Sequence, residues 1–339
     1  VSHLRLVNPG DEDAEVTVTG IDDSGASPGT AVAVAVPAGE SATLTASDLE
    51  LGTGLDGALG DGVGKWRLSV TSDRSVVTMS LLSSPTGHLT NLSTVPRTPD
   101  EDGNHVVPLF PAASDPLGRQ GFVRVINRSG KPGTVSIEVF DDSDLSYPPV
   151  TLALSAGQTR HFNSNDLELG NAGKGLTGST GAGEGDWRLV LSSELDIQVL
   201  AYIRTPDGFL TSMHDVAPEL LGQWHVAIFN PGSNPNQVSG LRLVNPGTAD
   251  TEATITGIDD TGASPGGAVV VTVPAGSSRT VWAENLESGG IGLTGMLGDG
   301  DGKWRLTVAS EQPLIVMSLL SSPTGHLTNL STAPDRGAN

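Results

Sequence analysis

The sequence of 339 residues contains no cysteine, which excludes disulfide staples, thiolate metal ligands and a cysteine nucleophile together. Basic residues are scarce: 18 Lys and Arg stand against 39 Asp and Glu, a formal charge of -21. Such a surface repels phosphate backbones and anionic lipid, so neither nucleic acid nor a membrane surface is expected as a partner. No apolar run reaches membrane-spanning length, and Val1 is not followed by the basic and apolar regions of a secretory leader. Membrane insertion is therefore not expected, and the sequence reads as a mature or excised piece. Aromatic residues make up only 4%. With 44 Gly, 22 Pro and abundant Val, Thr, Ser and Ala, this composition argues for short strands joined by turns rather than for helices.

What is present is repetition. "LRLVNPG" at Leu4 returns as "VRVINRSG" at Val123 and "LRLVNPG" at Leu241, a period of about 120 residues, which suits a whole sandwich domain. Later landmarks keep their order. The stretches beginning at Gly20, Val139 and Gly257 share Asp-Asp; "GKWRLSV" at Gly64 matches "GDWRLVL" at Gly185 and "GKWRLTV" at Gly302. "SLLSSPTGHLTNLST" occurs at Ser80–Thr94 and again at Ser318–Thr332, with "AYIRTPDGFLTSMHD" (Ala201–Asp215) between them. The first and third repeats are near twins, and the second is divergent.

Period-two patterns bounded by Gly, Pro or Asp place strands in the first repeat at His3–Asn8, Ala14–Ile21, Ala31–Val36, Ser41–Ala46, Lys65–Thr71, Val76–Ser83 and His88–Ser93. Ser47-Asp48-Leu49-Glu50 allows one helical turn begun by a Ser or Asp cap and stopped by Gly52. The expected fold is all-β: three tandem immunoglobulin- or fibronectin-like sandwiches over 1–97, 120–218 and 238–339. Connecting segments over 98–119 and 219–237 should each carry one strand. No such segment precedes the first repeat, because Val1 aligns with Val238. Either the natural chain extends upstream, or another molecule supplies the missing strand to an open sheet edge.

Motifs with chemical meaning are few. Gly25-Ala26-Ser27-Pro28-Gly29 and its copy at Gly262 spell G-x-S-x-G, but a nucleophile elbow needs a strand, a turn and a helix, and here a strand follows. G-x-G-x-x-G at Gly52, Gly173 and Gly290 lacks the βαβ unit of a dinucleotide site. Asp61, Glu184, Asp186, Asp299 and Asp301 place carboxylates in glycine loops. Calcium is the cofactor such oxygens suit, and capped turns are the alternative. Trp66, Trp187 and Trp304 recur in one register as core anchors. The Arg after each should face the other way, paired with Glu50, Glu168 or Glu287. Trp224 and Trp282 do not recur, which makes them candidates for exposed aromatics touching a sugar or a neighbouring subunit. His88 and His326 share a position with Phe209, which fits a strand start better than a metal ligand.

The stretches "FVRVINRSG", "FNSNDLELGNAGKGLTGSTGAGEGDWRLVLSS" and "DIQVLAYIRTPDGFLTSMHD", with the twin "SLLSSPTGHLTNLST" units, resemble the tandem β-repeat regions of large secreted or surface-displayed bacterial proteins. The resemblance implies an extracellular or cell-surface location and transfers no catalytic residue. The expected function is a non-enzymatic structural or adhesive repeat protein, a filament subunit assembling through strand addition or end-to-end contacts. Its partners would be copies of itself or other cell-surface proteins. A carbohydrate-binding accessory region and a calcium-dependent adhesin segment are the alternatives.

Overall fold

The computed structural model describes residues 1–93, 99, 103–220 and 222–331. The expected boundary at 97/98 and the last residues of both twin segments, Thr94 and Thr332, lie outside them.

The fold is all-β. The first repeat forms β1 (Ser2–Val7), β2 (Ala14–Ile21), β3 (Val32–Val36), β4 (Ser41–Thr45), α1 (Ala46–Leu51), β5 (Arg67–Ser72), β6 (Val77–Ser83) and β7 (Leu89–Asn91). The second forms β8 (His105–Pro111), β9 (Gln120–Asn127), β10 (Gly133–Asp141), β11 (Val150–Leu154), β12 (Thr159–Asn163), α2 (Ser164–Leu169), β13 (Leu176–Thr177), β14 (Asp186–Ser192), β15 (Ile197–Arg204) and β16 (Leu210–Ser212). The third forms β17 (Glu219–Leu220), β18 (Gln223–Phe229), β19 (Val238–Val244), β20 (Thr251–Ile258), β21 (Val269–Val273), β22 (Ser278–Trp282), α3 (Ala283–Ser288), β23 (Leu293–Thr294), β24 (Trp304–Ser310), β25 (Ile315–Ser321) and β26 (Leu327–Asn329).

These strands build six antiparallel sheets that face one another in pairs. Orders β4-β1-β6-β7 and β3-β2-β5 enclose one apolar cluster. Orders β12-β9-β15-β16 and β13-β11-β10-β14-β8 enclose a second, and β22-β19-β25-β26 with β17-β18-β24-β20-β21-β23 a third. Alternation explains the layers. In β2, Ala14, Val16 and Val18 turn inward while Glu15, Thr17 and Thr19 face out. Asn8 and Asn245 recur because each amide ties its strand end to three carbonyls: Asn8 donates to Glu12 (2.8 Å), Val36 (2.9 Å) and Pro37 (3.3 Å), Asn245 to Ala249 (2.8 Å), Val273 (3.0 Å) and Pro274 (3.1 Å).

The expected helical turn is α1, and its cap is Thr45, two residues before the span read from sequence, in place of the Ser or Asp cap expected there. The Thr45 hydroxyl accepts from the Asp48 amide at 3.1 Å, and Asp48 accepts from the Thr45 amide at 2.8 Å. Gly52 ends it in the left-handed region, φ 67°, where a Cβ would be strained. The segment over 219–237 carries two strands, not one, since β17 pairs with β18. Both expected connecting strands belong to the sandwich that follows them. Here β8 pairs with β14, and β18 pairs with β24, each antiparallel with an irregularity in register.

Candidate functional site

In β1, β9 and β19 one arginine stands between two inward-facing aliphatic residues: Arg5, Arg124 and Arg242. Strand alternation must turn each away from its own core. At the second and third positions, that outward face meets the preceding repeat. Arg242 is fully buried; it donates to both carboxylate oxygens of Asp142 (3.1 and 2.7 Å) and, through Nε, to the carbonyl of Pro108 in β8 (2.7 Å). Arg124 ion-pairs with Asp23 at 2.6 Å. Asp23 and Asp142 are the second residue of the recurring Asp-Asp turn, so both junctions join the same two positions.

The turns beside them repeat as well. At the first junction the Thr159 amide donates to the Asp23 carbonyl at 3.0 Å, and a Cβ on Gly25 would lie 2.9 Å from the Ala156 carbonyl oxygen. At the second, Asp144 occupies the position of Gly25, and a Cβ on Gly276 would lie 2.7 Å from its carboxylate. Arg188 donates to the Gly276 carbonyl and lies 3.4 Å from Asp144. Apolar contact accompanies the charges: Met317, Leu319 and Leu327 of the third repeat belong to the core cluster of the second.

On the outer faces the same residues meet no other repeat among the described residues. Half-buried Arg5 donates there to Thr43 and Ser41 of its own sheet, at 3.0 and 2.9 Å. Leu89, the counterpart of buried Leu327, is 62% exposed. At the other end Asp260 is exposed, and no cation pairs with it among the described residues. Ile228 is 50% exposed where its counterpart Leu109 is 1% exposed. Gly39 and Gly262, equivalent to Gly276 and Gly25, have open space where a Cβ would stand.

The repeated "TGHLT" hairpins have a further role. His88, Phe209 and His326, one from each repeat, meet with ring centroids 4.5 to 6.1 Å apart. Asp207 lies 3.2 Å from His88 and 3.4 Å from His326, and the Thr86 hydroxyl donates to the Asp207 carbonyl. A hydrogen bond from Thr205, aided by the Phe209 amide and His326, holds the Asp207 carboxyl below its ordinary range.

The sequence-derived candidates fall as follows. Trp187 and Trp304 are core anchors, whereas Trp66 is only half-buried. Glu50 and Glu287 accept from the indole N–H of Trp66 (2.7 Å) and Trp304 (2.8 Å) rather than from the neighbouring arginines, and Glu168 accepts from the Ala113 amide. Trp224 is 3% exposed and lies in the third core, so its reading as an exposed aromatic is corrected. It alternates with Val226 on the inner face of β18, and His105 fills the same slot in β8. Trp282 is half-buried, its ring over Gly240.

Among the described residues no three His, Asp or Glu side chains converge as a metal site would require. Asp61, Glu184, Asp299 and Asp301 are exposed, and Asp186 faces Arg119 at 3.6 Å. The recurring aspartates instead cap turns. Asp259 accepts from the amides of Asp301, Thr261 and Ala263 and from the Thr261 hydroxyl, which pulls its carboxyl down to about 2. Asp22 receives the equivalent bonds from Ser24, Ala26 and Val63. Ser27 and Ser264, the serines of G-x-S-x-G, donate to the carbonyls of Gly20 and Gly257 inside the same hairpin loops.

Ser212, His214 and Asp215 also lie close together. The Ser212 hydroxyl lies 3.1 and 3.2 Å from the two ring nitrogens, and the ring also contacts the Ala201 backbone. These contacts sit in the protein interior, with Ser212 and His214 both buried. Scanned against models of protein families the sequence has no match, and no curated protein matches it either.

Proposed function

We propose that the chain is an extracellular structural element whose β-sandwich repeats dock head to tail, and that copies of it assemble into linear arrays by the same contact. The observation that carries this reading is the recurrence of one junction. Arg124 on Asp23 and Arg242 on Asp142 use equivalent positions, while Arg5 and Asp260, at the same positions on the outer faces, pair with no residue of another repeat among those described. A surface that docks on a different surface of its neighbour generates open chains unless its rotation closes a ring. Arg5 and Asp260 are not paired with each other among the described residues, and the same contact made with a further repeat, here that of a second copy, would continue the array. The extracellular setting is supported by the resemblance to secreted bacterial repeats.

Charge reversal tests the docking. Sedimentation velocity should show growing, concentration-dependent species for the native chain, with rods of regular repeat in electron micrographs. Arg5→Asp and Asp260→Arg should each leave monomers, and the double variant should assemble again through the exchanged pair. A native chain that stays monomeric at several hundred micromolar would overturn the proposal.

A further inference from the structure

We infer that His88, Asp207, Phe209 and His326 form a proton-operated clasp: when the two imidazoles take up protons, they draw the hairpin tips of all three repeats onto one carboxylate. These contacts lie within one chain, so the inference holds whether or not copies assemble.

The residues come from three turns that correspond in sequence. His88 lies between β6 and β7, Asp207 and Phe209 between β15 and β16, and His326 between β25 and β26. Where the second repeat has Asp207 the first and third have Thr86 and Thr324, and where they have histidine it has Phe209. The twins therefore supply the imidazoles, and the divergent repeat alone supplies the carboxylate.

The two oxygens of that carboxylate have separate tasks. Oδ1 accepts from the Thr205 hydroxyl and from the Phe209 amide at 3.3 Å, which fixes the turn. Oδ2 lies 3.2 Å from Nε2 of His88 and 3.4 Å from Nδ1 of His326. The second ring nitrogen of His326 lies 3.0 Å from the Thr328 hydroxyl, which accepts from it once the ring is charged. Phe209 packs on both rings, its centroid 5.5 Å from that of His88 and 4.5 Å from that of His326, within the reach of a cation–π contact.

Both imidazoles are about one-third exposed, 32% and 31%, so protons reach them from solvent. Imidazole changes charge between about pH 5 and 8. Among the described residues, the titratable groups facing His88 are Asp207 and His326, and those facing His326 are Asp207 and His88. The balance of charges favours closure. Each charged ring has the carboxylate at 3.2 or 3.4 Å and the other ring at 6.1 Å between centroids, and Coulomb energy falls with distance, so attraction outweighs repulsion about twofold. Asp207 stays ionised through this range, because the Thr205 hydroxyl above all holds its carboxyl below the ordinary value. A proton held more firmly in the closed cluster than in the open one adds stability at low pH, and that contribution is lost as pH rises toward 8.

The test uses the full chain carrying Asp260→Arg, so that assembly does not contribute. NMR titration of the imidazoles, with His88→Gln and His326→Gln assigning the two signals, is compared with and without Asp207→Asn. The asparagine keeps the oxygen that holds the turn. It should lower both midpoints by about half a pH unit, the size expected of a partly exposed ion pair. His225, whose ring lies 3.4 Å from the Thr307 hydroxyl, should keep its midpoint. Corrected for intrinsic rates, amide protection in 87–91, 208–212 and 325–329 should rise about three- to tenfold between pH 8 and 5.5, and should not rise in Asp207→Asn. The inference is overturned if Asp207→Asn leaves both midpoints in place, or if protection is equal at the two pH values. It is also overturned if protection falls at pH 5.5, which would mean that repulsion between the charged rings prevails.

Discussion

Removing the Arg242 side chain should open the junction between the second and third repeats, and its size can be worked from the contacts. The guanidinium holds Asp142 through two bonds and Pro108 through one. Asp142 remains 39% exposed, so water recovers much of its solvation, and its loss belongs near the lower end of the range for charged hydrogen bonds, about 1.5 kcal/mol. The Pro108 carbonyl would lose a charged donor in a buried place, a further loss of about 1–2 kcal/mol. Arg242→Ala should then cost about 3 kcal/mol, which corresponds to roughly a 150-fold rise in the opening equilibrium of that junction.

The internal controls are Arg124→Ala, with one ion pair, and Arg5→Ala, on a surface where changes stay within about 0.5 kcal/mol. The assay is native-state amide exchange of β25 and β26, which reads local opening without assuming that the whole chain unfolds in one step. Asp142→Ala and the double variant complete a cycle that isolates the pair. If Arg242→Ala and Arg5→Ala shift exchange equally, the junction is not carried by the arginine and the argument from recurrence fails.

Two further outcomes follow from the packing and the turns. A Cβ on Gly183 would stand 2.0 Å from the Trp187 ring, on Gly300 2.3 Å from Trp304, and on Gly62 2.4 Å from Trp66. Trp187 and Trp304 are enclosed and cannot swing away, so Gly183→Ala and Gly300→Ala should each cost about 1–3 kcal/mol in urea titrations. Gly62→Ala should cost clearly less because the half-buried Trp66 can yield. For acid stability, the folded carboxyl of Asp259 at about 2 lies below its unfolded value of 3.8. Its stabilisation is therefore full above about pH 4 and disappears as pH falls toward 2. Asp259→Ala should lower stability at neutral pH and flatten the acid limb of thermal melts recorded from pH 5 to 2; an unchanged limb would refute the assignment.

Much of each sandwich was legible from local pattern. β2 occupies the span read from alternation, and β3, β4, β5 and β6 begin or end within two residues of expectation, because one buried and one wet face write a period of two into any strand. The helical stub was legible through Asp48 and Gly52. The partners of Glu50 and Glu287 were not, since a carboxylate opposite a strand can accept from an indole or a guanidinium, and only the ring's direction decides. Trp224 was misread because it does not recur between repeats, although its alternation with Val226 was the signal that places it inside.

The sequence by itself determined the strands, the turns and the threefold repetition, because these rest on residues near one another in the chain. It also determined that Arg5, Arg124 and Arg242 turn away from their own cores. Whether that outward face meets water or another repeat is a different matter, and alternation is silent on it: a side chain excluded from its own core looks the same in sequence when solvated and when docked. Only the tertiary structure decided that Arg242 is fully buried, Arg124 nearly so and Arg5 only half-buried. The physical reason is that the partners of Arg242 and Arg124, Asp142 and Asp23, are set by how whole sheets pack across about a hundred residues of intervening chain, whereas Arg5 finds only hydroxyls of its own sheet among the described residues.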